Sequence, residues 1–256
     1  MKSRSYRNLF NKNQKTPASG RWFCMETPSI DYREAWGLQL GLVEAKGSHA
    51  SLPDFVFLLE HPPVFTLGHR GGRDHLKVSE DFLAERGIPL IHVERGGDIT
   101  YHGPGQLVGY LVVNLKAHGW RVLDFVEALE EVMIRSLADW GIRSGRNSMN
   151  RGVWVGTSKI GSVGIAVRRG ISFHGFALNV NTWLAPFQWI DPCGLEGIQV
   201  TSLKRILGRE IPMEEVRCAA ARHIREGFGV ELDMVSVKDI HRLLDAKARG
   251  IVREAA

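Results

Sequence analysis

Three short runs hold the residues of this chain that are equipped for chemistry. Cys193 stands in Asp191-Pro192-Cys193-Gly194-Leu195, and Lys159 lies in Ser158-Lys159-Ile160-Gly161-Ser162-Val163-Gly164. Upstream of both is Arg95-Gly96-Gly97-Asp98-Ile99-Thr100-Tyr101-His102-Gly103-Pro104-Gly105-Gln106-Leu107. A thiol attacks as its thiolate, and at an ordinary pKa near ~8.5 only a few per cent is ionised at neutral pH. A neighbouring cation raises that fraction by favouring the charged form. Glycines let a backbone come close to a ligand. A nucleophile, an activating cation and a glycine-rich wall together suit acyl transfer through a thioester.

Taken singly, each feature has a plainer reading. Cysteine is among the most buried residue types, so a packed thiol fits position 193 as well as a nucleophile in a Pro-Gly turn. A strand lysine more often faces solvent than a site. A partly buried one has a lowered pKa and can serve as acid or base. The run from Arg95 to Gly105 has four glycines in eleven residues but neither the phosphate-loop nor the dinucleotide spacing. Tight turns between strands would use some of those glycines, and His102 is open to hydrogen bonding or proton transfer. His174 suits a core or a site-lining place equally. The ten histidines show no metal-ligand spacing, so no metal and no cofactor is expected, and no GxSxG nucleophile elbow occurs.

These runs need elements to hold them. Trp36, Leu40 and Val43 recur at helical spacing and predict a helix over 32–46, with Asp31 as a possible N-cap. Residues 55–59 read as a buried strand closed by Pro62-Pro63, and 64–68 as another. A short helical stretch falls near 79–86, with strands at 89–93 and 107–115. Val122, Val126, Leu129, Met133 and Leu137 form one apolar stripe on a helix over 121–140 that Gly141 stops. Strands at 152–155, 159–167 and 171–180 follow with short turns, and helices are expected at 200–207, 213–228 and 236–248. Strands gathered centrally with helices on both sides predict an α+β layer fold.

The chain has 256 residues, 44% hydrophobic and 24% charged, as expected of a soluble globular protein. No apolar run is long enough to span a bilayer. Cys24, Cys193 and Cys218 are an odd number at no ligand spacing, which argues against a disulfide framework and fits a reducing, cytoplasmic compartment. The net charge of +5 allows an acidic partner without identifying one. Lys2, Arg4, Arg7, Lys12, Lys15 and Arg21 occur among the first 21 residues with no acid, which predicts a disordered basic arm. A mitochondrial import segment shares that composition, but its amphipathic helix is hard to draw here.

The runs RGGDITYHGPGQLVGYLVVNL, KIGSVGIAVRRGISFHGFALNV and DPCGL, in that order, resemble the lipoyl(octanoyl) transferases, over roughly residues 30–228. The resemblance implies a single α+β domain similar to the catalytic domain of biotin and lipoate protein ligases, with a central mixed sheet flanked by helices. It would occupy residues 26–229, between a basic arm at 1–25 and a helical extension at 230–256. It implies that Cys193 carries the octanoyl group and that Lys159 tunes it. It further implies that Arg95, Gly96, Gly97, Asp98, Ile99, Thr100, Tyr101, His102, Ser162, Val163, Gly164, Gly175, Phe176 and Ala177 line the substrate. The implied donor is octanoyl acyl carrier protein. The implied acceptors are lipoyl domains of 2-oxoacid dehydrogenases and the glycine cleavage H protein, with no nucleic acid or membrane involved. The nearest competing reading is an ATP-dependent ligase on the same fold, in which Cys193 would have no task. A binding module for anionic partners and a cysteine hydrolase are further alternatives.

Overall fold

The computed structural model describes residues 20–49, 51–147, 150–191 and 198–248. In chain order, β1 (Arg21–Thr27) leads into α1 (Tyr32–Ser48), β2 (Phe55–Leu59), β3 (Val64–Leu67), the short α2 (Glu80–Ala84), β4 (Leu90–His92), β5 (Ile99–His102) and β6 (Gln106–Val112). Then come α3 (Leu115–His118), α4 (Val122–Ala138), β7 (Gly145–Arg146), β8 (Val153–Val155), β9 (Ser158–Arg168) and β10 (Ile171–Asn179). The remaining elements are β11 (Gln199–Val200), α5 (Leu203–Leu207), α6 (Met213–Phe228), β12 (Glu231–Met234) and α7 (Val237–Ala248).

Among the described residues, nine strands form the main sheet, in the order β12-β1-β2-β6-β10-β9-β8-β7 with β11 added on β9. The pairs β12–β1, β1–β2 and β11–β9 are parallel and the others antiparallel, so the sheet is mixed. A smaller sheet, β4-β3-β5, carries the glycine-rich run. Residues of β2, β6 and β10 are buried throughout because both faces of the main sheet are covered. On one face α4 and α6 pack over Val56, Leu107, Leu111 and Leu178. On the other, α1 and α7 cover Phe55, Phe57, Val112 and Phe173. This is the α+β single domain with a central mixed sheet that the sequence predicts.

Local chemistry sets the element ends. The Asp31 carboxylate accepts from Arg33 N at 2.8 Å and Glu34 N at 3.2 Å, capping α1. Ser202 caps α5 in the same way. The sequence reading differs from the structure at both flanks of the domain. Residues 21–25, assigned to the polar arm, lie in β1, where Trp22, Cys24 and Met25 are buried. The tail after Phe228 is not only helical: β12 pairs with β1, and Ile240 of α7 is buried in the core with α1. The α4 stripe is also rotated from expectation. Its core members include Phe125, Leu129, Val132, Met133 and Leu137, whereas Val122 is 48% exposed and Val126 borders a cavity.

Candidate active site

That cavity, of about 680 Å³, lies between the glycine-rich run, the first turn of α4 and the paired strands β9 and β10. Two of its predicted lining triplets are a single patch. Ser162 pairs with Ala177, Val163 with Phe176 and Gly164 with Gly175 across the β9–β10 ladder. Small residues are required there. A Cβ on Gly164 would sit 2.8 Å from the Gly96 carbonyl oxygen, and one on Gly175 would run into the carbonyl of Gly109. The Gly96 N–H donates to Ile165 O at 2.8 Å, fastening the glycine-rich run to β9.

Arg95 is buried and folds back beneath that run. Its Nη2 donates to Thr66 O at 2.7 Å and Nη1 to Gly96 O at 3.1 Å. Asp98 accepts from Ile99 N at 2.6 Å, and its other oxygen faces His75. Gly97, Asp98, Ile99, Thr100 and His102 border the cavity with Arg95 and Gly96, but Tyr101 does not. Alternation along β5 turns Tyr101 into a separate core, its ring 5.2 Å from that of Phe65 and 5.7 Å from that of Phe187. Tyr101 thus stands apart from the other residues expected to line the substrate.

Lys159 borders the same cavity and is only 7% exposed. Its Nζ donates to Asn150 Oδ1 at 2.7 Å and lies 5.7 Å from the Trp154 ring centroid. Cys193, with most of its DPCGL motif, lies outside the described residues. The chain that follows it returns beside the lysine: Val200 pairs with Lys159, and Thr201 N donates to Lys159 O at 2.9 Å. The other two thiols have unlike settings. Cys24 is buried, and burial pushes its thiol up to about 12, whereas Cys218 is exposed.

Polar aromatic residues gather at the cavity wall, with His61 behind it. His61 Nδ1 donates to Ile30 O and its Nε2 accepts from the Tyr110 hydroxyl, both at 2.8 Å. His174 adopts a left-handed backbone with φ of 58°, and its N–H donates to Gln39 Oε1 at 2.7 Å. That conformation costs a non-glycine residue about 1–2 kcal/mol. Both His174 ring nitrogens are buried with no hydrogen-bond partner among the described residues, and the buried Tyr32 hydroxyl faces that of Tyr110. Burial, and then the Arg95 charge, lowers the His174 pKa to about 3; burial lowers that of His61 to about 4 and raises that of Tyr32 to about 12. His102 is held well below the usual histidine range, first by burial and then by its coupling to His61 and the Arg95 charge. These groups are neutral hydrogen-bonding parts at physiological pH. Sequence reasoning missed Tyr32, Tyr110, Asn150 and the exposed Leu123 as lining residues. A lone loop asparagine gives no periodic signal, and Tyr32 counts by pattern as the first residue of a helix.

Among the described residues no group of three His, Cys, Asp or Glu is placed to hold a metal ion. No described helix is long and apolar enough to cross a membrane.

The family model of the lipoyl protein ligase A/B catalytic domain matches residues 31–225. The chain is 47% identical over 209 residues to an octanoyltransferase of Desulfotalea psychrophila, covering 81% of this chain and 94% of that protein. It is 45% identical over 223 residues to an octanoyltransferase of Syntrophobacter fumaroxidans, covering 87% and 97%. The fold is similar to that of a lipoate-protein ligase A crystallised with ATP, with a TM-score of 0.71 at 17% identity over 89% of this chain and 93% of that one.

Proposed function

Because the chain belongs to the lipoyl protein ligase A/B catalytic-domain family, among its octanoyltransferases, we propose that it passes an octanoyl group from a thioester donor to a protein lysine through Cys193. The Cys193 thiolate attacks the donor carbonyl, the new C–S bond forms, and the carrier thiolate leaves and takes a proton from the Lys159 ammonium. The acceptor amine then attacks the Cys193 thioester. A C–N bond forms, the C–S bond breaks, the sulfur leaves as thiolate, and neutral Lys159 takes the proton of the amine. Exchange between thioesters is nearly even, and amide formation from a thioester runs downhill without ATP. The amine has a solution pKa near ~10.4, so it needs such a base.

The observation that carries this reading is a buried lysine bordering a cavity whose wall is the small-residue β9–β10 patch. Val122, Leu123, Val126, Val163 and Phe176 give that cavity an apolar side. Burying six methylenes there contributes up to about 5 kcal/mol. The donor is octanoyl acyl carrier protein, and the acceptors are lipoyl domains and the glycine cleavage H protein, in the cytoplasm. A basic chain suits acidic carriers. The ATP-dependent ligase reading is weaker, since the likeness to a ligase at 17% identity speaks for the fold alone. Incubation with octanoyl carrier protein and a lipoyl domain, without ATP, tests the proposal. Octanoyl-lysine is the expected product; turnover only with ATP, or free octanoate as main product, would overturn it.

A further inference from the structure

His102 ends a buried chain of amides whose polarity can be read from two backbone carbonyls. Asn179 lies 3.1 Å from Thr201 O, which can only accept, so Asn179 presents Nδ2 there and Oδ1 on its other side. Gln106 must then present Nε2, which donates to Asn179 Oδ1 at 2.9 Å and to Tyr101 O at 3.2 Å. Its Oε1 is left 2.7 Å from His102 Nδ1, so that nitrogen must carry the hydrogen. All three side chains are buried. The far end of the chain meets the strand of the lysine, because Thr201 N donates to Lys159 O.

With Nδ1 carrying the hydrogen, and burial beside Arg95 disfavouring the charged ring, Nε2 keeps its lone pair on a ring that borders the cavity. The charged and titratable groups around it are Tyr32, His61, Arg95, Tyr110 and His174, with no carboxylate among them to favour imidazolium. A fixed acceptor needs a donor. The thioester and the acyl chain offer none at the reacting end, whereas the attacking lysine amine does. We propose that Gln106 and Asn179 are positioning residues that lock His102 as its Nδ1-H tautomer, so that Nε2 accepts a hydrogen bond from the incoming amine and aims its lone pair at the thioester. No bond is made or broken at His102. The assignment rests on the acyl-transfer reading above.

Two measurements on the full chain test it. Nitrogen NMR of histidine-labelled wild type, with the His102 signals identified by their loss in His102→Gln, is expected to show Nδ1 protonated and Nε2 unprotonated at neutral pH. An Nε2-protonated or charged ring would overturn the proposal. In the second, acyl-enzyme formation and transfer from preformed acyl-enzyme to a lipoyl domain are timed separately. Gln106→Leu is expected to lower the ratio of transfer to acylation by about tenfold, the effect of one hydrogen bond. The near-isosteric Gln106→Glu keeps the Nδ1-H bond. Its ratio should hold at alkaline pH and fall toward acid, where the new carboxylate favours imidazolium. Equal slowing of both steps in both variants would overturn the proposal. Absence of any acyl-enzyme in wild type would instead sink the acyl-transfer reading, and the nitrogen spectra would still decide the tautomer.

Discussion

Two lysines are buried among the described residues, and their surroundings differ. Lys46, near the end of α1, donates to Leu52 O at 2.8 Å and Pro53 O at 2.9 Å and pairs with Asp54 Oδ1 at 2.8 Å. Asp54 also accepts from Asn114 N at 2.9 Å and from His118 Nε2 at 2.6 Å. Burial works to raise the Asp54 pKa, but the His118 and Lys46 interactions outweigh it and lower the value. That knot closes on itself and ties α1, β2 and α3 together. Lys159 meets the neutral Asn150 amide and borders a cavity, in company with buried polar atoms that have no partner among the described residues. The first lysine is a fastening; the second faces a space built to receive something.

The same substitution at the two positions separates these roles. Lys159→Met should cut octanoyl transfer by about 10²–10⁴-fold, the usual range for an acid–base group, and slow alkylation of Cys193 near neutral pH. Its stability in urea should change by no more than about 1 kcal/mol. Lys46→Met should remove about 3–5 kcal/mol in the same titration, because it leaves Asp54 buried without its cation, while transfer per folded molecule persists. Reversed outcomes would dissolve the comparison.

Acid should reach the cavity before it reaches the knot. The folded-state pKa values of His61, His102 and His174 lie below the ordinary 6.5, so the unfolded chain takes up the protons first. Their contribution is complete above pH 6.5 and is lost as pH falls toward the values near 4 for His61 and 3 for His174, by about 1.4 kcal/mol per unit for each histidine. The lowered pKa of Asp54 acts only as pH falls below about its ordinary 3.8. Denaturation followed against pH should therefore show stability declining already between 6.5 and 4, and a flat profile there would contradict the neutral assignment of the histidines. The smallest effect is expected at Asn150→Ala: transfer falls about tenfold through loss of the bond that orients Lys159, and stability changes by about 1 kcal/mol.

Much of the cavity is legible in the sequence because its wall is built from backbone. Glycines at 164 and 175 mark places where chains pass too closely for a side chain, a Cβ on Gly96 would crowd Ile165 O at 3.3 Å, and the density of glycines singles out the runs that the fold brings together. Tyr101 packs away from the cavity, beside Phe65 and Phe187, which its place in a glycine-rich run does not signal. Asn150, Gln106 and Asn179 act through side-chain contacts between different elements, one of them spanning 73 residues of sequence, which no local pattern encodes. β12 reads Glu-Leu-Asp-Met, too short and polar to signal a strand, and is fixed by its pairing with β1.

The central claim is an acyl group carried on one thiol. Intact-protein mass spectrometry after treatment with octanoyl carrier protein should show a single octanoyl-sized addition on wild type, mapping to Cys193 and absent from Cys193→Ala. An addition that persists in that variant, or that maps to Cys24 or Cys218, would contradict the account.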